Sequence, residues 1–311
     1  TPFTPSAIST VLSALIESVL PSLMTAALLV TPGEYTKAFH GEIGVLVKSV
    51  LNELSALAGV VKDIAEKNEK TKTENARDSE LSQPEKDTVT TTTGRVWDAC
   101  DALSDVAAKG VVGFVIRRVE EWRDLVGDAV KEIEEWDPDD EDDGFFEDIL
   151  GATSPKEDDG EKDDSDGSDS DSGEKDATML RAHKKSALRV LKPVGQVFSA
   201  ILANRLRNAG NAPSSSEAGI ERLQSLMSEL HSIPDYVDEV AGALYDGDLE
   251  KLRQYLEKAR GCATNAVNTM ALPLNGPGDG HGAEDKFTIW SSTWLKVMEE
   301  VSKPTDSSNA G

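Results

Sequence analysis

Apolar residues recur at spacings of three and four along most of this chain, and no run alternates with period two for long enough to make a convincing strand. The pattern predicts an all-α protein. A first helical stretch runs from about Pro5 to Val30, with Pro21 placed to kink or break it, and Thr31-Pro32-Gly33 reads as a turn. A second runs from about Glu34 to Asn68, with Phe39, Ile43, Leu46, Val50, Leu54, Leu57, Val61 and Ile64 on one face. Asn68 to Val89 is polar, contains Pro84 and reads as a loop. The third helix is the longest. Thr91 to Thr93 offer caps, and Val96, Trp97, Cys100, Val106, Phe114, Val119, Trp122, Leu125, Val126, Ile133 and Trp136 follow at helical spacing. Gly110 and Gly113 weaken its middle and predict a bend there.

Beyond Asp137 the periodicity stops. Residues 137–176 are rich in Asp, Ser and Gly and cannot bury enough apolar surface to fold, so this insertion is expected to be disordered. One apolar island interrupts it, Phe145, Phe146, Ile149 and Leu150, which reads either as a docking motif for a partner or as a segment that docks onto the bundle itself. Helical spacing resumes near Ala177 and continues to Asn208, with a kink expected at Pro193. After a loop at 209–216, helices are expected at about Ala218–Ser232, Pro234–Tyr245, Asp248–Leu272 and Asp285–Val301. No fixed internal period supports a solenoid. The expected organisation is two helical bundles with a long helix: an N-terminal bundle at 1–136, the acidic linker at 137–176, a C-terminal bundle at 177–303, and a disordered tail at 304–311.

Charge sharpens this picture. The 311 residues carry a net −25, and residues 137–176, with 19 Asp/Glu and 3 Lys, account for −16 of it. Such a field repels nucleic acid and anionic membranes and favours basic protein surfaces. Val11 to Val30 is apolar and about bilayer length, but Glu17, Pro21, its Ser and Thr residues and the lack of flanking Lys or Arg make it read as a buried bundle helix. Cys100 and Cys262 stand far apart, which fits two free thiols in a reducing compartment.

Catalytic chemistry finds no foothold in the sequence. His40, His183, His231 and His281 have no second ligand at metal spacing, so neither a metal nor a cofactor is expected. Gly276 to Gly282 follows no strand and reads as a linker rather than a phosphate loop. The acidic run lacks the ordered loop of a calcium site. The basic clusters Arg117-Arg118 and Arg181-Ala182-His183-Lys184-Lys185 are small and not interleaved with aromatics. Candidates for binding other proteins remain. They are the faces around Trp97, Trp122 and Trp136, the pair Trp290 and Trp294, and the island Phe145, Phe146, Ile149 and Leu150. Each Trp reads more readily as core than as a binding hot spot, and the acidic run more readily as a solvated spacer. Ser154, before Pro155, and Ser168, before Asp169 and Asp171, suit proline-directed and acidophilic kinases.

Three segments carry a family likeness: Thr93-Gly94-Arg95-Val96-Trp97-Asp98-Ala99-Cys100-Asp101, Val130-Lys131-Glu132-Ile133-Glu134-Glu135-Trp136, and Ile233-Pro234-Asp235-Tyr236-Val237-Asp238-Glu239-Val240-Ala241-Gly242-Ala243-Leu244-Tyr245. With the order of parts, the chain from about Ala7 to Val301 resembles the Grap2 and cyclin-D-interacting protein family, also called cyclin-D-binding protein 1-like. The resemblance implies an all-helical protein without enzymatic activity that binds D-type cyclins and helix-loop-helix factors, affects cell-cycle progression and transcription, and resides in cytoplasm and nucleus. The acidic insertion is longer than the family leads one to expect, and Pro234 with Val237 spoils a leucine zipper through Leu223, Leu230 and Leu244. The leading expectation is a regulatory adaptor whose partners are other proteins (cyclin-like, helix-loop-helix or basic), with no nucleic acid, membrane or small-molecule substrate. An acidic chaperone-like binder of histones or ribosomal proteins, and a vinculin-like cytoskeletal bundle, are the alternatives.

Overall fold

The computed structural model describes residues 5–74, 82–137, 170–210, 216–274 and 285–302. Among these residues there are helices and short turns and no strand, as the periodicity predicts. Helix α1 (Pro5–Ala14) runs through a π-helical turn (Leu15–Val19) into α2 (Leu20–Leu29). Then come α3 (Lys37–Glu74), α4 (Gln83–Glu135), α5 (Ser170–Ile201) with a π-helical end (Leu202–Leu206), α6 (Glu217–Tyr245), α7 (Leu249–Thr269) and α8 (Lys286–Val301). Residues 138–169, with the apolar island and both candidate phosphorylation sites, and the tail from 303 lie outside the described residues. The chain forms two compact units, Thr1–Arg117 with Ala209–Gln224, and Arg118–Asn208 with Ser225–Gly311, so two of the three divisions fall inside α4 and α6 and the third between Asn208 and Ala209.

In the first unit, Phe39, Ile43, Val47 and Val50 form the buried stripe of α3. Phe39 stacks on Tyr35 and meets Phe114 of α4 edge-on, with ring centroids 5.6 Å apart in both pairs. The Thr36 hydroxyl caps α3 by accepting from the Phe39 amide. The stripe fades toward the end of α3, where Val61 is exposed, and its buried member Val47 was not on the expected face. Of the expected loop at 68–89, residues 68–74 and 83–89 are helical. Ser82 and Glu85 form a capping box: the Ser82 amide and hydroxyl both donate to the Glu85 carboxylate, at 3.0 and 2.8 Å, and this starts α4 at Gln83. These bonds hold the Glu85 carboxyl below its ordinary range. Thr91 to Thr93 therefore lie inside the helix. The hydroxyls of Thr88, Thr90, Thr92 and Thr93 donate to carbonyls four residues back, which reconciles a Thr-rich run with helical backbone.

Helix α4 is interrupted where glycine predicts it. Gly110 adopts φ 63°, ψ −169°, a conformation nearly exclusive to glycine. As a result, a Cβ on Gly113 would sit 2.6 Å from Lys109 Cβ. The expected burial of the Val11–Val30 stretch is not found. No residue of Leu15–Leu29 is buried, and Ile16, Leu28 and Leu29 are well exposed. Apolar residues lie all round this helix, so no single stripe directs it into a core. Thr10–Leu29 and Lys37–Lys67 are each long and apolar enough to cross a membrane.

The second unit has the larger core. Val119, Val126 and Ile133 of α4 are fully buried at intervals of seven, together with Leu191, Val194, Val197, Phe198 and Ile201 of α5. Helix α6 runs unbroken through Pro234, where the sequence predicts two helices. Proline removes one helical hydrogen bond. The complete burial of Leu230, Ile233, Val237 and Val240 around it offsets that loss. Helix α7 starts at Asp248, whose carboxylate accepts from the Lys251 amide, and buries Ala259, Ala263 and Ala266, small enough to let α5 pack close.

Arg205 joins three helix ends. Its side chain is 3% exposed. Nε donates to the Met270 carbonyl (2.7 Å), Nη2 to Ala271 (3.0 Å), and Nη1 pairs with Asp285 (2.9 Å), while the guanidinium lies 4.3 Å above the Phe287 ring. Asp285 also caps α8, accepting from the Thr288 amide at 2.8 Å. Burial alone would raise this carboxyl. The hydrogen bonds from Arg205 and Thr288 outweigh it and hold the group below its ordinary value.

Two outcomes follow from this geometry. Gly110→Ala should lower stability by about 1–3 kcal/mol in urea titrations, because alanine resists the Gly110 conformation; an unchanged midpoint would mean the break is not present in solution. Arg205→Met should cost about 3–5 kcal/mol by stranding Asp285 and two carbonyls, and Lys should not restore it. The Asp285 contribution is fully present above its unfolded pKa near 4 and is lost as pH falls through the lower folded value. Asp285→Asn should therefore flatten the stability profile below pH about 4.

Candidate functional site

The tryptophans do not form one patch. Trp97 is 68% exposed and belongs to the first unit, whereas Trp122 and Trp136 belong to the second. Trp122 is half-buried edge-on to His231 at 5.6 Å, and Trp136 packs edge-on to Tyr245 at 5.0 Å. Both are tied to neighbours within their own unit. Trp294 is core: 3% exposed, it donates from Nε1 to the Pro193 carbonyl at 2.9 Å. That bond ties α8 to the proline's own carbonyl in α5, a helix that continues across Pro193. Trp290 stacks on Trp294 at 6.0 Å but stays half-buried.

Trp290 stands at the end of a groove of about 720 Å³ within the second unit. Its floor and walls are Val126, Gly127 and Val130 of α4 and Leu191 and Gly195 of α5. The glycines make the space. A Cβ on Gly127 would meet nothing within 4 Å, and one on Gly195 would only touch Val126, at 3.8 Å. Arg123, Glu134, Lys192, Gln196, Ser199 and Asn204 complete the lining, with Lys192 and Glu134 paired at 2.6 Å. Lys184 donates to the carbonyls of Glu134 and Trp136, securing the C-terminus of α4 to α5. An apolar trough with a charged margin is suited to burying one face of an amphipathic helix, and offers no group poised for bond-making. Sequence periodicity marks Val126 and Leu191 as core; the two helical glycines, costly in propensity, were the available sign of a trough.

Two further side chains of the second unit have shifted acidity. Burial and the neighbouring Glu229 carboxylate push the Cys262 thiol up to about 11, so it stays protonated and unreactive at neutral pH. Burial raises the Tyr245 hydroxyl, which donates to Glu132 at 3.1 Å. Among the described residues no group of three His, Cys, Asp or Glu side chains is placed to hold a metal ion.

A protein of Schizosaccharomyces pombe (strain 972 / ATCC 24843), described as uncharacterized, is 21% identical over 211 residues, 68% of this chain and 54% of that protein. The chain thus spans about half the length of that relative. No solved structure matches. Residues 1–139 match the family model described as Grap2 and cyclin-D-interacting, N-terminal. On that match, the first 139 of the 311 residues are similar to the N-terminal part of the Grap2 and cyclin-D-interacting family.

Proposed function

We propose that this chain is a non-enzymatic regulator or adaptor that works by holding a partner helix in the groove between α4, α5 and Trp290. The observation that carries this reading is the open apolar trough itself, kept empty of side chains by Gly127 and lined by Val126, Val130 and Leu191. An amphipathic helix from a cyclin or a helix-loop-helix factor, the partner classes to which the family description and resemblance lead, would bury an i, i+3, i+4 face there. Trp290 would serve as the aromatic anchor at one end, and Arg123, Glu134 and Lys192 would set orientation at the margin. In this reading the protein acts in nucleus and cytoplasm, Ser154 and Ser168 are phosphorylated to deepen the negative field of the insertion, and Phe145, Phe146, Ile149 and Leu150 form a further docking motif.

The experiment is a binding titration of a purified D-type cyclin against the full chain and its Gly127→Leu variant. A Cβ at Gly127 meets nothing within 4 Å and leucine has the better helix propensity, so the variant should melt at the same temperature as the parent or higher, by about 0.5–1 kcal/mol of added stability. Binding should weaken by at least about tenfold, the equivalent of ~1.4 kcal/mol. Trp290→Ala should weaken binding similarly. A Gly127→Leu protein that binds like the parent would overturn the groove assignment.

A further inference from the structure

A second groove lies on another face of α5, also within the second unit, with a volume of about 680 Å³. Leu252, Leu256, Arg253 and Arg260 of α7 line it together with His183 and Arg189 of α5. The charge here opposes that of the chain as a whole. From Ala177 to Ser216 there is no Asp or Glu, while seven Lys and Arg residues occur, immediately after the segment that carries −16. Arg189 and Arg253 are exposed and form no ion pair among the described residues. Arg260 donates through one terminal nitrogen to Ser302 at 2.9 Å and through the other to Glu257, yet its Nε is buried without a hydrogen-bond partner among the described residues. Unmet guanidinium donors in one groove with Leu252 and Leu256 define an occupant that is both anionic and apolar.

We infer that this groove receives an acidic peptide segment of a partner protein, with large apolar side chains at its centre and carboxylates on either side. The apolar residues would cover Leu252 and Leu256, and the carboxylates would take bidentate bonds from Arg189 and Arg253. Glu257 lines the same groove and repels a dense polyanion, which disfavours a phosphorylated ligand or nucleic acid and favours spaced carboxylates. The net charge of −25 has the same effect at long range, so an acidic partner is attracted only where cations outnumber acids, as Arg189, Arg253 and Arg260 outnumber Glu257 in this groove. The inference extends the protein-binding reading to a different surface, and Gly127→Leu should leave it untouched.

Fluorescence anisotropy tests it, with the full chain and a labelled synthetic peptide copying residues 141–152, Glu-Asp-Asp-Gly-Phe-Phe-Glu-Asp-Ile-Leu-Gly-Ala, which has the required chemistry. Saturable binding is expected below about 100 µM. A peptide with Asn and Gln in place of Asp and Glu should bind at least about tenfold more weakly, as should the parent peptide to the Arg189→Glu/Arg253→Glu variant. Both residues are exposed, so circular dichroism should show that variant folded; if it is not, Arg253→Gln alone takes its place, with the same loss expected. Absence of saturable binding, equal affinity for the neutral peptide, or unchanged affinity in the charge-reversed variant would overturn the inference. Binding seen only after Phe145→Ser/Phe146→Ser in the full chain would show that the chain fills its own groove, and would overturn the assignment to a partner.

Discussion

A guanidinium removed from water must find an acceptor for its donors, and the way Arg205 does so fixes the end of the second unit. Helix α7 stops at Thr269 with carbonyls left over, as every helix does. Arg205 takes those of Met270 and Ala271, and spends its remaining charge on Asp285, which in turn caps α8. One side chain thus sets where α7 ends and where α8 begins. Register along α8 then follows from the cap. Phe287, Ser291, Trp294 and Met298 turn inward, and Trp290 falls at the margin, beside the trough between α4 and α5. The candidate site is in this sense downstream of a buried charge that no stripe of apolar residues reveals.

That dependence explains what the sequence discloses and what it withholds. Stripes such as Phe39, Ile43 and Val50, or Val119, Val126 and Ile133, report which face of a helix is buried, because burial is what places apolar residues there. Gly110 disclosed its break, since few other residues tolerate that conformation. Pro234 misled in the opposite direction. A proline costs a helix one bond, but four fully buried neighbours make the continuous helix the better arrangement. The start of α4 was obscured by Thr-rich, polar composition, although Ser82 and Glu85 spell out a capping box three residues apart. The apolar run in α1 and α2 was the larger surprise. Apolar content predicts a buried helix only when neighbours exist to cover it, and periodicity says nothing about neighbours.

The tryptophans illustrate the same limit at the level of function. Trp97, Trp122 and Trp136 share the helical spacing of α4 and invite one reading as a common surface. Their surroundings differ instead: Trp122 is held by His231 and Trp136 by Tyr245, whereas Trp97 stands largely in solvent. Trp290 and Trp294, four residues apart, divide the roles between them, one in the core and one at the groove. A groove is a property of what is missing between helices. Here it rests on Gly127 in α4 and Gly195 in α5, residues that contribute no contact of their own.

Helix α5 borders both grooves and can do so because its faces are chemically distinct. Leu191, Gly195 and Ser199 lie on one side; His183, Ser186 and Arg189 lie on another, nearer the helix start. The fully buried Leu191, Val194, Val197 and Phe198 hold the helix against the core. Keeping carboxylates out of Ala177–Ser216 preserves the positive face that a mixed surface would neutralise. In a chain of net charge −25, that exclusion concentrates attraction for anions on one helix, and the apolar trough beside it recognises shape and hydrophobicity rather than charge. Two partners of different chemistry can then be told apart by a single helix, because the forces that select them act on separate faces.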